Sequence, residues 1–307
     1  MSKKTESPVA VYGALVANLI IAAAKLTAAT FTRSSAMLSE AIHSFVDTGN
    51  EVFLLLGIHK SKKPPDELHP FGHGKELYFY SLVVAVLIFG IGGGMSFYEG
   101  IKHINEPVEI RDPLWNYIVI AVAFVSESIS FLIALREFLK EKGKRSFVNA
   151  LLTSKNPTNY TVLLEDAAAI AGLIIAALGI YLGHTLNNPN LDAVASLLIG
   201  AVLTIVAFFL AFESKQLLIG ESAEREVVQK IKEITDDDPS VRYTDKILTM
   251  HIGPDEVLLN MEIQFSKDVL LTELPDVISR LEDKITSCYP EIKQIFIEAG
   301  SIKKQKF

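Results

Sequence analysis

Cysteine is almost missing from this 307-residue chain. Cys288 stands alone, which excludes a disulfide framework and any cysteine-based zinc finger. Positive charge is also short: the formal net charge is −7, which argues against a nucleic-acid binder. No G-x-x-x-x-G-K-[ST] or G-x-G-x-x-G pattern occurs, so no nucleotide cradle is visible. Charged residues make up 21% of the chain against 50% hydrophobic, close enough to a soluble protein that only their distribution is informative. Residues 1–212 hold 16 basic and 17 acidic side chains, whereas the much shorter 213–307 holds 13 and 19. The charge-poor part and the acidic part meet near residue 212, the expected domain boundary.

The charge-poor part contains long apolar runs. About 20 largely apolar residues are needed to cross a bilayer as a helix. Six stretches qualify: 9–31, 36–58, 78–101, 114–135, 162–182 and 191–212. None has the continuous polar face of a soluble amphipathic helix. The first follows Lys3 and Lys4 but is too long for a signal-peptide core, and it is read as retained. Basic residues concentrate in two connections, one with Lys60, Lys62, Lys63 and Lys75, the other with Lys140, Lys142, Lys144 and Arg145. The positive-inside rule then places these loops, and both termini, in the cytoplasm. Residues 213–307 read as a soluble α-β-β-α-β unit: helix 224–235, strands 246–252 and 257–265 joined by a Gly253-Pro254 turn, helix 274–289 and strand 292–298.

Ionisable groups inside apolar spans are costly and point to function. The second span carries Glu40, His43, Asp47 and Glu51. His43 and Asp47 lie four apart on one helix face, half of a tetrahedral divalent-metal site; a hydrogen bond stapling two helices is the structural alternative. The fifth span opens with Glu165 and Asp166. Asp166 could complete a site with His43 and Asp47, while Glu165 could assist or sit in interfacial water. Glu127 in the fourth span, flanked by Ser126, Ser128 and Ser130, is read either as proton or ligand support or as a neutral hydrogen-bonding group. Asn18 and Lys25 read as structural contacts between helices. The second-to-third loop holds Asp66, His69 and His73 in the order D-x-x-H-x-x-x-H, a zinc-like set, although histidines in polar loops are often simply solvated.

These motifs resemble the cation diffusion facilitator family. Its second-span pattern S-x-A-x-x-x-x-A-x-[HD]-S-x-x-D is similar to Ser35 through Asp47. Its loop pattern D-x-x-H-P-[FY]-G-H-G-[KR]-x-E is similar to Asp66 through Leu77, with Glu76 one place early. The resemblance implies six transmembrane helices (1–212) and a small cytoplasmic α+β, ferredoxin-like domain (213–307) for dimerisation or regulation. It implies efflux of a divalent cation, zinc first, in exchange for protons, by a homodimer in the bilayer, with both termini cytoplasmic and the cell (inner) membrane as its place. No catalysis, cofactor or nucleic acid is implied beyond the transported ion and a zinc ion in the loop. His43, Asp47 and Asp166 match transport-site ligands, and Asp66, His69 and His73 match the loop site. Lys75 matches a position that forms a dimer salt bridge, for which Glu221 is a partner candidate. The family's fifth-span histidine falls at Val162, which cannot ligate, so the fourth ligand is open among Glu165, Glu127, Asn159 and water. The Glu165-Asp166 stretch looks like the branch that includes a mitochondrial zinc transporter of animals. Losing a histidine would also suit manganese or iron(II). The histidine-rich ligands of the soluble domain are missing apart from His251. Other classes remain as alternatives: a membrane metallohydrolase using Glu67 or Glu76 as base, a passive channel, and a non-transporting partner subunit.

Overall fold

The structure is a computed structural model that describes residues 8–143, 145–155 and 157–300, with the side chains of 8–14, 141, 153 and 159 outside the described set. Lys3, Lys4 and Lys144, and the side chain of Asn159, therefore lie outside the described residues. Two compact units emerge from the packing. One comprises Met1–His59 and Phe79–Ser214; the other comprises Lys60–Tyr78 and Lys215–Phe307.

The first unit is helical. Helices α1 (Pro8–Thr32) and α2 (Ser35–Ser61) meet at Arg33, whose φ of 61° makes the tight turn. Helix α3 (Glu76–Leu87) runs through a π-helical turn (Ile88–Gly93) into α4 (Gly94–Asn105), so the third run is continuous in its course but not in its hydrogen bonding. Helix α5 (Leu114–Lys142) is followed by the short α6 (Phe147–Thr153), which Ser146 caps by accepting a hydrogen bond from the Asn149 N–H. Helices α7 (Pro157–Thr185) and α8 (Asn190–Ile219) complete the unit.

Among the described residues, five helical stretches are long and apolar enough to cross a membrane: 15–32, 76–105, 114–140, 160–185 and 190–219. Helix α2 is the exception to the six expected. Its 27 residues are enough in length, but its ionisable side chains lower its apolarity. The physical reason is where those groups sit: Glu40 and His43 are buried inside the unit. Helix α5 is the opposite case, with only 11% of its most apolar stretch buried and Val122, Leu132 and Ile133 turned outward.

The core of this unit is built mainly from alanine, leucine and isoleucine, including Ala36, Leu173, Ala176, Ile199 and Leu203, together with Met37. Small polar residues tie the helices where they come close. Ser39 Oγ of α2 lies 2.6 Å from Ser196 Oγ of α8, which donates to the Ser96 carbonyl of α4 at 2.8 Å. Such pairs satisfy polar groups where lipid cannot. Asp192, at the start of α8, meets the N-terminus of α2. It accepts from Ser34 Oγ at 2.6 Å, from the Ser35 N–H at 2.6 Å and from the Ala36 N–H at 3.4 Å. A carboxylate there completes orphan donors and complements the helix dipole.

The second unit contains α9 (Arg225–Asp236), β1 (Val241–Gly253), β2 (Glu256–Phe265), α10 (Leu274–Cys288) and β3 (Ile292–Ala299). The sheet order is β1-β2-β3, with β1 antiparallel and β3 parallel to the central β2. The α-β-β-α-β order matches the sequence reading. Strand β1, however, begins at Val241 rather than near 246, because irregularities between Val241 and Tyr243 and between Thr244 and Lys246 break its alternation. Alternate residues of β2 (Val257, Leu259, Met261 and Ile263) are buried against Val277, Leu281 and Ile285, spaced four apart on α10. Each such fully buried side chain contributes about 1.5–3 kcal/mol. Asp238 fastens the far end: Arg280 donates to both its oxygens, at 3.0 and 2.9 Å, and Lys284 at 3.1 Å. These hydrogen bonds, Arg280 first, hold the Asp238 carboxyl far below the usual carboxylate range.

Candidate metal centres

In the helical unit, a cavity of about 110 Å³ opens between α1, α2, α5 and α7. Helix α2 contributes Asp47 and Glu51, one turn apart. Helix α5 contributes Glu127 and Ser130. Helix α7 contributes Val162, Glu165 and Asp166. Five carboxylates thus line this small space, and no basic side chain does. Inside an apolar helical unit such a set must be balanced by cations or protons.

The two adjacent carboxylates of α7 reach the cavity by different routes, as the 100° step between neighbouring helical residues requires. Glu165 is buried and accepts from Asn50 Nδ2 of α2 at 2.8 Å. Asp166 accepts from Ser130 Oγ of α5 at 2.7 Å. Glu51 accepts from Asn18 Nδ2 of α1 at 3.4 Å. Each carboxylate therefore keeps capacity for another partner.

His43 does not line the cavity but stands beside it. Its Nδ1 is 3.2 Å from Asp47 Oδ1, one turn along α2. Neither ring nitrogen has a hydrogen-bond partner, although the side chain is 99% buried. The 3.2 Å approach is thus close but not aligned as a hydrogen bond, and the expected helix staple is not formed in that form. A buried imidazole with two unsatisfied nitrogens beside a carboxylate is chemically suited to metal ligation. The donors of His43 and Asp47 come close, but those of His43, Asp47 and Asp166 do not converge as a set of three. Among the described residues, only Asp66, His69 and His73 form a set of three whose ligand atoms all lie within 4.8 Å of one another.

That second set lies in the other unit. Asp66 Oδ1 accepts from the His69 N–H at 2.7 Å and the Leu68 N–H at 3.0 Å, folding the loop around the carboxylate. Asp66 Oδ2 is 3.0 Å from His73 Nε2, and the two imidazole rings are 4.2 Å apart. The hydrogen bond from His73, then that from the His69 backbone, hold the Asp66 carboxyl at about 2. It is therefore ionised and ready to ligate at any ordinary pH. Two imidazoles and a carboxylate converging with a fourth side open fit a zinc donor set. Lys75 lies in the same loop, with its ammonium 3.9 Å from Met250 Sδ, and Glu221 belongs to the same unit.

A family model described as the cation efflux transmembrane domain matches residues 11–219. The chain belongs to the cation diffusion facilitator family. This is a family of metal-efflux transporters and not of enzymes. Relatives that share its sequence include the mitochondrial proton-coupled zinc antiporter SLC30A9 of Homo sapiens, 37% identical over 80% of this chain and 44% of the relative. Metal tolerance protein C4 of Arabidopsis thaliana is 28% identical over 85% of this chain and 58% of that protein. The manganese efflux system protein MneP of Bacillus subtilis is 22% identical over 94% and 93%. The chain spans less than half the length of the vertebrate relatives it matches.

For a cation diffusion facilitator, two features went beyond the sequence reading. Glu51 was visible four residues after Asp47 but had no assigned role; it joins the cavity wall. Asp192, which fixes α2 by its N-terminus, carried no sequence signal because its partners lie more than 150 residues away. Gly172, on α7, is explained by packing: a methyl group there would collide with Glu40 Oε1.

Proposed function

We propose that this protein exports a divalent metal cation, zinc first, from the cytoplasm in exchange for protons. The carboxylate-lined cavity beside His43 supports the reading most strongly. In it, His43, Asp47 and Asp166 bind the ion, Glu165 adds an oxygen, and Glu127 supplies a further oxygen or carries a proton. These ligands must be deprotonated to bind, so loading displaces protons and protons from the far side drive release. Alternating access to one fixed site is the general means by which secondary transporters couple two gradients.

The architecture of the proposal has six spans, α2 being the sixth, with its ionisable side turned toward its neighbours rather than lipid. Residues 1–212 form the transport domain, and 213–307 form a cytoplasmic, ferredoxin-like dimerisation or regulatory domain. The helix-sheet order and the parallel β2-α10-β3 crossover support this assignment. The basic connections support an orientation with both termini in the cytoplasm, and the cell (inner) membrane is the proposed location. Asp66, His69 and His73 bind a structural or relay zinc ion, and Lys75 with Glu221 contributes to a homodimer interface. The zinc antiporter and manganese efflux relatives agree with a divalent cargo.

A second reading, manganese or iron(II), is favoured by one observation. Val162 lines the cavity where a fourth donor would stand, so the site is richer in oxygen than in nitrogen. Liposomes containing the protein and a pH dye, challenged with zinc, cadmium, manganese and iron(II), test both readings. Zinc-driven proton counterflow that disappears in Asp47→Ala is the expected result. Flux confined to manganese or iron(II) establishes the second reading. Flux that survives Asp47→Ala overturns the site, and absence of flux for every metal returns the choice to a partner subunit or a metallohydrolase.

A further inference from the structure

Lys25 sits in α1 with no exposed surface, buried among the helices of the first unit. Its Nζ donates to Glu40 Oε2 at 3.1 Å and to Ser44 Oγ at 2.7 Å, both on α2. The same nitrogen is 4.0 Å from Glu127 Oε1 of α5. Glu40 is wholly buried and does not line the cavity; Glu127 does, and is 18% exposed. One ammonium is therefore shared unequally. It is hydrogen-bonded to the inner carboxylate and only in electrostatic reach of the outer one.

That asymmetry matters because a buried charge is costly unless paired, and a pair alone explains only half of the arrangement. Glu40 by itself would balance Lys25. Glu127, left with a distant share of the positive charge, faces a cavity lined by four further carboxylates. Its carboxylate can stay near Lys25 or turn to an ion in the cavity. A dication entering the cavity competes with Lys25 for it, and the resident ammonium also repels the incoming charge.

We propose that Lys25 is a built-in counter-cation that sets the affinity of the cavity for a divalent ion by holding Glu127 back from it. Lys25 is a positioning residue: it acts through Glu127 and does not touch the ion. Its effect is to keep binding weak enough for release, which transport requires as much as capture. The inference rests on the reading of the cavity as the transport site.

The test is a thermodynamic cycle on the full-length protein, with binding followed by zinc titration in detergent and transport by flux in liposomes. Lys25→Met keeps the length of the side chain and removes the charge. The expected outcome is a half-saturating zinc concentration lowered at least about tenfold, the factor that two unit charges ~12 Å apart already give at an effective dielectric of about 20. Maximal flux falls, because release is slowed. Lys25→Arg restores both values to near wild type. In a Glu127→Gln background, Lys25→Met shifts half-saturation by less, because only the direct repulsion between the ammonium and the ion is then removed. Should Lys25→Met fail to fold, Lys25→Met/Glu40→Gln removes the buried pair as a unit and leaves no isolated charge; the same tightening is expected. A folded variant whose half-saturation stays the same or rises overturns the proposal, as does an equal shift with and without Glu127. A purely structural role would lower the yield of folded protein without tightening zinc binding. Asp47→Ala separates the two levels: if zinc flux survives it, the cavity is not the transport site; if it abolishes flux while Lys25→Met is silent, only the role of Lys25 fails.

Discussion

The five carboxylates around one cavity make the identity of each neutral neighbour consequential. Val162 is the clearest case. It lines the cavity one turn before Asp166, so a histidine at 162 would bring an imidazole to the wall that now offers a methyl group. Val162→His is expected to raise the ratio of zinc to manganese transport by about tenfold, since nitrogen ligands favour zinc over harder ions. Competitive flux measured with both metals in one vesicle preparation checks it, and an unchanged ratio would mean that residue 162 does not face the ion. At this scale the sequence was readable wherever chemistry is local. His43 and Asp47 are four residues apart and were found by spacing, and the Asp66 loop was found by its motif. Lys25 was expected only to make a structural contact. Its pairing with Glu40 and its approach to Glu127 join three helices, and no spacing within one helix could reveal that.

Helix α2 carries His43 and Asp47, so whatever fixes α2 also fixes the site. Asp192 of α8 performs that task at the N-terminus, and the Ser39–Ser196 contact continues it one turn later. Asp192→Ala is expected to lower stability by about 1–2 kcal/mol, the range of a lost helix cap. It should also weaken zinc binding without altering metal preference. Thermal unfolding in detergent, paired with zinc titration, distinguishes a lost cap from a lost ligand, which would abolish binding. The helices and strands themselves were legible from hydrophobic runs and alternation. Two features were not. The π-helical turn at Ile88–Gly93 slips the hydrogen bonding within an unbroken apolar run, which leaves no mark on hydropathy. The start of β1 at Val241 is hidden because its irregularities destroy the two-residue period on which a strand is recognised.

The described residues fold as two units, and in the sheet-bearing one a buried carboxylate ties α10 to the segment before β1. Asp238, wholly buried in its side chain, is held by two half-exposed cations of α10. Its folded-state carboxyl is depressed, so the stabilisation is complete above the ordinary carboxylate range near pH ~4 and is lost as pH falls below it. Asp238→Asn is expected to cost about 1–3 kcal/mol at neutral pH, the cost of a lost charged hydrogen-bond partner. The deficit relative to wild type should shrink on acidification. Hydrogen exchange at the β1 and β2 amides of the full-length protein measures it; a deficit that grows toward acid would contradict the assignment.

The loop that carries Asp66, His69 and His73 packs in that same unit, although the chain has yet to form most of the helices when it is made. Gly74 lies so close to the Ile252 carbonyl that no larger residue fits, and Phe71 meets Phe296 edge to face with ring centres 6.4 Å apart. Ile252 belongs to β1 and Phe296 to β3, the two outer strands of the sheet. An outer strand with open hydrogen-bonding groups is a template for pairing with another chain. The excursion of residues 60–78 therefore touches both outer strands of the sheet. A fragment cut at residue 213 would lose these contacts, so its self-association would report newly bared surface on β1 and β3 rather than a property of the full-length chain.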